Sequence, residues 1–183
     1  MDTVKDVMTE KVVTCTPSTS FLEVQERMVK NHISRVVVVD ARDRPVGIIA
    51  QKDILNFLIT EKSRRGLEEI PAEEVMSKNL VTVKPATSIS DIAGTMVKEK
   101  ISSLIVVGED SKLKGIVTKA DLCIYLASKA TGIHSVHDFM TPNPITVKPS
   151  HSIILAVSSM SEHKISRLVV TDEGQAANVT RFG

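Results

Sequence analysis

A single pattern written three times governs what this chain can fold into. Asp6-Val7-Met8-Thr9 recurs as Glu74-Val75-Met76-Ser77 and again as Asp138-Phe139-Met140-Thr141, 68 and then 64 residues further on. At the same offsets Thr14 meets Thr82 and Thr146, Pro17 meets Pro85 and Pro149, and Met28 meets Met96 and Met160. Ile33-Ser34 likewise meets Ile101-Ser102 and Ile165-Ser166. A repeat of this length is one supersecondary unit that completes its core against a neighbour. Function is therefore to be sought between repeats rather than inside one.

Each unit reads the same way. In the first, Val12 to Cys15 is a short strand stopped by Pro17, which has no N–H to give to a ladder. Ser20 stands at a helix N-cap with Glu23 three residues on, the spacing of a capping box. Ser88 with Asp91 repeats it with a shorter acid, and Ser152 keeps the cap while Leu155 loses the box. Val24, Met28 and Val29 then fall on one helical face. Arg35 to Val39 and Val46 to Ala50, joined by a polar turn, predict a hairpin, and Asp53 to Leu58 returns to helical periodicity. The order is β-α-β-β-α, an α/β (α+β) class.

Composition narrows the function. With 183 residues the chain can bury roughly 70% of its unfolded surface. Its 23 basic and 22 acidic side chains leave a net charge of +1, too little to drive nucleic-acid or anionic-membrane binding. One Tyr, four Phe and no Trp make a poor platform for stacking bases. No apolar run reaches the length of a membrane span and no signal-peptide pattern precedes the first repeat, so a cytoplasmic protein is expected. Cys15 and Cys123 read as reduced core residues. Nucleophile-elbow, P-loop, HExxH and dinucleotide patterns are all missing, which argues against an enzyme. His134 and His137 lack the further ligands nearby that a metal site needs. The recurring methionines, Met8, Met28, Met76, Met96, Met140 and Met160, read as packing residues.

Two stretches predict solvated linkers: residues 61–71, charged and ending in Pro71, and residues 129–135, containing Gly132. Arg64-Arg65 reads as part of a surface turn. The organisation expected is repeat 1 over 1–60, repeat 2 over 72–128, a partial repeat 3 over 136–173 and an atypical tail over 174–183.

These motifs resemble the CBS domain, whose repeats pair about a pseudo-two-fold axis into a Bateman module. The resemblance rests on the opening Val-Met-Thr and Val-Met-Ser segments, the Ile-Ser-Arg-Val-Val-Val-Val strand, and the closing Gly47-Ile48-Ile49-Ala50-Gln51-Lys52-Asp53 and Gly115-Ile116-Val117-Thr118-Lys119-Ala120-Asp121. It covers nearly everything from Val4 to about Asp172. Repeat 3 departs from it, because a shift of 64 puts Val179 where Gly115 stands, and the run after Asp172 does not match a second hairpin strand well. Either the chain is truncated there, with an unrelated tail, or a second chain completes the unit.

The resemblance implies an adenosine nucleotide (AMP, ADP or ATP) or S-adenosylmethionine in the cleft between repeats 1 and 2, with no cofactor required. Asp121 and Asp53 are the implied ribose ligands, a role in which one carboxylate accepts from both hydroxyls. Thr118 faces phosphate, with Ala50 as its counterpart, and Arg35, Lys119 and Lys52 are candidates to neutralise it, while Ser103 replaces the arginine in repeat 2. Adenine is expected near Val81-Thr82 or Val13-Thr14. Read without the resemblance, Asp53 and Asp121 are good first-turn helix residues, Arg35 could pair with a surface acid, and Thr14 and Thr82 are good strand formers. The family further implies a homodimer through its helices and a regulated partner protein. The alternative is a ligand-free dimerisation or assembly module.

Overall fold

The computed structural model describes residues 2–60, 65–129, 135, 137, 140–172 and 175–181; of residues 55, 56, 58–60 and 175–181 only the backbone is described. It divides into two compact units, 1–130 and 131–183.

Unit 1 holds two copies of one arrangement. Repeat 1 comprises β1 (Thr14–Cys15), α1 (Phe21–Lys30), β2 (Arg35–Val39), β3 (Pro45–Ala50) and α2 (Gln51–Thr60). After a short α3 (Ala72–Val75), repeat 2 comprises β4 (Thr82–Val83), α4 (Ile89–Lys98), β5 (Ser103–Val107), β6 (Leu113–Thr118) and α5 (Lys119–Lys129). Each sheet has three strands in sequence order, the first pair parallel and the second antiparallel. Ser20 and Ser88 cap α1 and α4 by accepting from Glu23 and Asp91 N–H groups. The Glu23 carboxylate turns instead to Arg27, 2.6 Å away.

The central strands are buried on both faces, as their unbroken valine runs require. Val36 and Val38 point into the core of repeat 1 with Phe21, Val24 and Met28. Val37 and Val39 meet Ile105 and Val107 of β5 in a second layer between the two sheets.

The opening segments cross over. Val4, Val7 and Met8 pack in the core of repeat 2, whereas Ile70, Ala72, Val75 and Met76 pack in the core of repeat 1. Thr9 and Ile116 exchange backbone hydrogen bonds at 2.9 and 3.0 Å, and Ser77 and Ile48 do so at 2.9 and 3.1 Å. The closing glycines make room for this. A Cβ on Gly115 would lie 2.8 Å from Met8 Sδ, and one on Gly47 would lie 2.2 Å from Met76 Sδ. The opening methionine and the closing glycine are thus two halves of one contact made between repeats.

Repeat 3 forms β7 (Thr146–Val147), α6 (Ile153–His163), β8 (Arg167–Asp172) and β9 (Gln175–Arg181). Ser152 caps α6. Val147, Ala156, Met160 and Leu168 make its small core.

Four sequence expectations change. Residues 175–181 are a strand antiparallel to β8, not an unmatched tail. The shift of 64 misses it because the hairpin is one residue shorter: Gly115 faces Val106, but Asn178 faces Val170. The stretch before Pro71 is more than a solvated linker, since Ile70 is buried and Arg65 is ion-paired to Glu74 at 2.8 Å. Cys123 is exposed, because it falls on the outer face of α5; Cys15 is buried, which pushes its thiol up to about 11. Met140 is half exposed, while Met28, Met96 and Met160 are buried. Arg64, His134 and the second linker's residues 130–134 lie outside the described residues.

Candidate functional site

The two closing motifs each end a strand and start a helix without an intervening loop, so Asp53 and Asp121 fall in the first turns of α2 and α5. Acids are favoured there because they accept from N–H groups that the helix itself cannot pair. Asp53 Oδ2 accepts from the Ala50 N–H at 2.8 Å. Asp121 Oδ2 accepts from both the Thr118 N–H and the Thr118 hydroxyl at 2.7 Å, and Thr118 Oγ1 in turn faces the Asp121 N–H at 3.4 Å. The hydroxyl proton of Thr118 is therefore given to Asp121. Among the described residues no donor reaches Oδ1 of either carboxylate, which leaves that oxygen of each to accept from another group.

Arg35 joins the two helix starts. It begins β2 opposite Ala50, as Ser103 begins β5 opposite Thr118. Its guanidinium donates to Ser34 Oγ at 3.0 Å and, across the repeats, to Ser102 Oγ at 2.6 Å. The carbonyls of those same serines accept from Gln51 and Lys119, both at 3.1 Å, at the first positions of α2 and α5. A part-buried cation is thereby strung between two helix N-termini, an arrangement suited to an anion. Two of its partners are thus serine hydroxyls, one from each repeat. Ser34 and Ser102 were not singled out as site residues, though their recurrence after isoleucine was the signal available.

Among the described residues, the remaining candidates make no hydrogen bond to this pair of carboxylates. Lys52 and Lys119 are exposed beside them. The Val13 and Val81 carbonyls already accept from Val37 and Ile105, each at 3.3 Å, so they serve the ladder. Thr14 and Thr82 sit opposite Val37 and Ile105, two residues along from Arg35 and Ser103. The Thr14 carbonyl is held by Arg27, which leaves the exposed Thr82 the more open edge. Among the described residues no group of three or more His, Cys, Asp or Glu side chains converges as metal ligands, and no helix is long and apolar enough to cross a membrane.

Paired β-α-β-β-α repeats with crossed openings and an aspartate at each closing helix define the class of this protein. The chain belongs to the CBS domain family, whose pattern matches residues 4–60, 72–128 and 136–179, the last through most of β9. It is 27% identical over 187 residues to the uncharacterised protein MJ1225 of Methanocaldococcus jannaschii, a match covering 96% of this chain and 67% of that protein. The MJ1225 crystal structure superimposes with a TM-score of 0.83 at 24% identity, over 98% of this chain and 69% of that one. The CBS domain pair of protein MJ0100, in complex with 5′-methylthioadenosine and S-adenosyl-L-methionine, is similar over 71% of this chain and 99% of its own, at 27% identity and TM-score 0.64. CBSX2 in complex with AMP is similar over 71% of this chain and all of its own, at 26% identity and TM-score 0.62.

Proposed function

We propose that unit 1 is a sensor that binds an adenosine nucleotide or adenosyl compound between repeats 1 and 2 and passes its occupancy to a partner protein, without catalysis. The observation that carries this reading is the paired helix starts, where Asp121 and Asp53 each keep one carboxylate oxygen open beside the part-buried Arg35 cation. The adenosyl complexes of MJ0100 and CBSX2, each similar over 71% of this chain, support the ligand class. In this reading Asp121 holds the ribose, Arg35 and Lys119 face phosphate, and adenine lies along Val81-Thr82. Asp53, with Val13-Thr14, forms the poorer site, since Ala50 supplies no hydroxyl. A ligand that pulls Arg35 from Ser102 breaks a bond between repeats, which gives occupancy a route to their relative orientation. The chain acts in the cytoplasm as a homodimer, through helix faces carrying the exposed Val29, Val97, Ile124 and Leu126.

One observation favours the second reading, an assembly module without ligand: Thr118 and Arg35 already have hydrogen-bond partners within the chain. Calorimetric titration with AMP, ATP, S-adenosylmethionine and GMP separates the two. The sensor reading expects saturable binding of an adenosyl ligand, none of GMP, and a loss of about ten- to a hundredfold in Asp121→Ala, the worth of a hydrogen bond to a charged group. Circular dichroism must show the variant folded, because the same change removes a helix-start acceptor. Silence from all four ligands leaves the assembly module as the function.

A further inference from the structure

The first strands of repeats 1 and 2 are alike in the ladder and differ on their open side. Building on the sensor reading, we propose that Arg27 closes the base-binding edge of repeat 1, so that unit 1 takes one adenosyl ligand, seated against repeat 2. β1 and β4 are edge strands, each paired with one neighbour. Since the Val13 and Val81 carbonyls accept from Val37 and Ile105, the N–H and C=O of Thr14 and Thr82 point the other way, off the sheet. An edge residue of this kind shows one donor beside one acceptor. Adenine shows the complement, an amino group that donates beside a ring nitrogen that accepts.

In repeat 1 that acceptor is taken. α1 places Arg27 one turn beyond Glu23, whose carboxylate holds one end of the guanidinium at 2.6 Å, and the other end donates to the Thr14 carbonyl. The repeat offset of 68 puts Asp91 and Thr95 at these two positions in α4. Both are turned to their own helix. The Asp91 carboxylate accepts from the Ser88 hydroxyl at 2.7 Å, and the Thr95 hydroxyl donates to the Asp91 carbonyl at 2.8 Å. Among the described residues no donor reaches the Thr82 carbonyl, and Thr82 is exposed where Thr14 is half-buried. A guanidinium and an amino group both donate, so adenine can use the Thr14 carbonyl only by expelling Arg27. Expulsion forfeits a charge-assisted hydrogen bond, worth about ten- to a hundredfold in affinity. Thr82 asks for no such exchange. Ala50 in place of Thr118 is a second difference between the repeats, but it lies at the closing helix, so its effect is separable from that of Arg27.

Calorimetric titration of the full chain with AMP and with S-adenosylmethionine tests this. The variant is Arg27→Thr, which installs the residue that repeat 2 carries at the same helical position; Arg27→Ala gives the same readout should threonine unsettle α1, and circular dichroism checks both. The wild type is expected to bind one ligand per chain, at a site that Asp121→Ala weakens. Arg27→Thr is expected to tighten the second place about ten- to a hundredfold, so that it fills as well, and adding Asp53→Ala in that background is expected to remove it. A wild type that already fills a site lost in Asp53→Ala would overturn the proposal and leave the sensor reading standing. So would Arg27 variants that gain no site, whether or not Ala50→Thr opens one. Silence from the wild type and from both Arg27 variants would remove the sensor reading, and the role of Arg27 with it.

Discussion

Phe21 and Ile153 occupy one position in one repeat pattern, and the first is fully buried while the second is 62% exposed. The local sequence around them is equivalent: a capping serine, an apolar first turn, a methionine about two turns later. What differs is the company each keeps, since Phe21 receives Ile70 and Ala72 from the neighbouring repeat. Burial in this fold is a property of a pair of repeats, and a single repeat encodes only the capacity for it. Leu168 and Met160 show that repeat 3 still makes its own inner core, so the difference from repeats 1 and 2 lies in the outer layers.

The largest effect expected from this comparison is at the paired positions themselves. Phe21→Ala should cost about 3–5 kcal/mol in urea unfolding of unit 1, through reduced burial and the cavity left behind. Ile153→Ala in dilute solution should stay within about 0.5 kcal/mol, as surface changes do. Equal losses would mean that Ile153 is covered within the monomer.

The next effect separates the two crossed contacts. Gly47→Ala and Gly115→Ala should each destabilise by about 1–3 kcal/mol, by forcing a methyl into an occupied space. At Gly47 the three nearest atoms all belong to the Met76 side chain, its Cβ included at 3.0 Å, so the penalty should largely vanish in a Met76→Gly background. At Gly115 the Thr9 carbonyl oxygen lies 3.0 Å from the added Cβ, so Met8→Ala should relieve only part. Double-mutant cycles read the difference directly.

The smallest effect distinguishes the hairpin turns. Asp40 accepts from the Arg42 and Arg44 N–H groups and pairs with the Arg44 guanidinium. The Arg44 backbone bond, then its side chain, hold the carboxyl down at about 2. Repeat 2 has Gly108 at that position. A lowered carboxylate stabilises the fold fully above its unfolded value of about 3.9, and that contribution disappears as the pH falls through the folded value. Thermal melts between about pH 5 and about pH 2 should therefore show less acid sensitivity in Asp40→Asn than in the wild type. The exposed position keeps the difference small, and identical pH profiles would rule the turn out as an acid-labile point.

Much of this was legible in the sequence because it is local. Ser20, Ser88 and Ser152 announced three helix starts, the valine runs announced the strands of a hairpin, and the closing aspartates fell where first-turn acids belong. The crossing of the opening segments was not legible, because hydrophobic periodicity says that Met8 is buried without saying in which core. The same blindness left Ile70 in a linker and Cys123 in a core. β9 was missed for a different reason: a fixed offset carries no allowance for a hairpin that is one residue shorter. At the candidate site the resemblance pointed to Thr118, and the bond from its hydroxyl to the carboxylate three residues on was not part of that reading.

The crossed openings also bear on how such a protein can be made and remade. Core 1 cannot close until the ribosome has released residues up to Met76, and core 2 must wait for α5 although its first pieces, Val4 and Met8, emerge at the outset. Two repeats therefore fold as one late event with a high mean sequence separation, not as beads added in turn. Removal of the first eight residues would strip the distant repeat rather than the adjacent one. A gene that gains or loses one such repeat leaves an unmatched strap and an unsealed helix, so the heritable unit of this architecture is the couple.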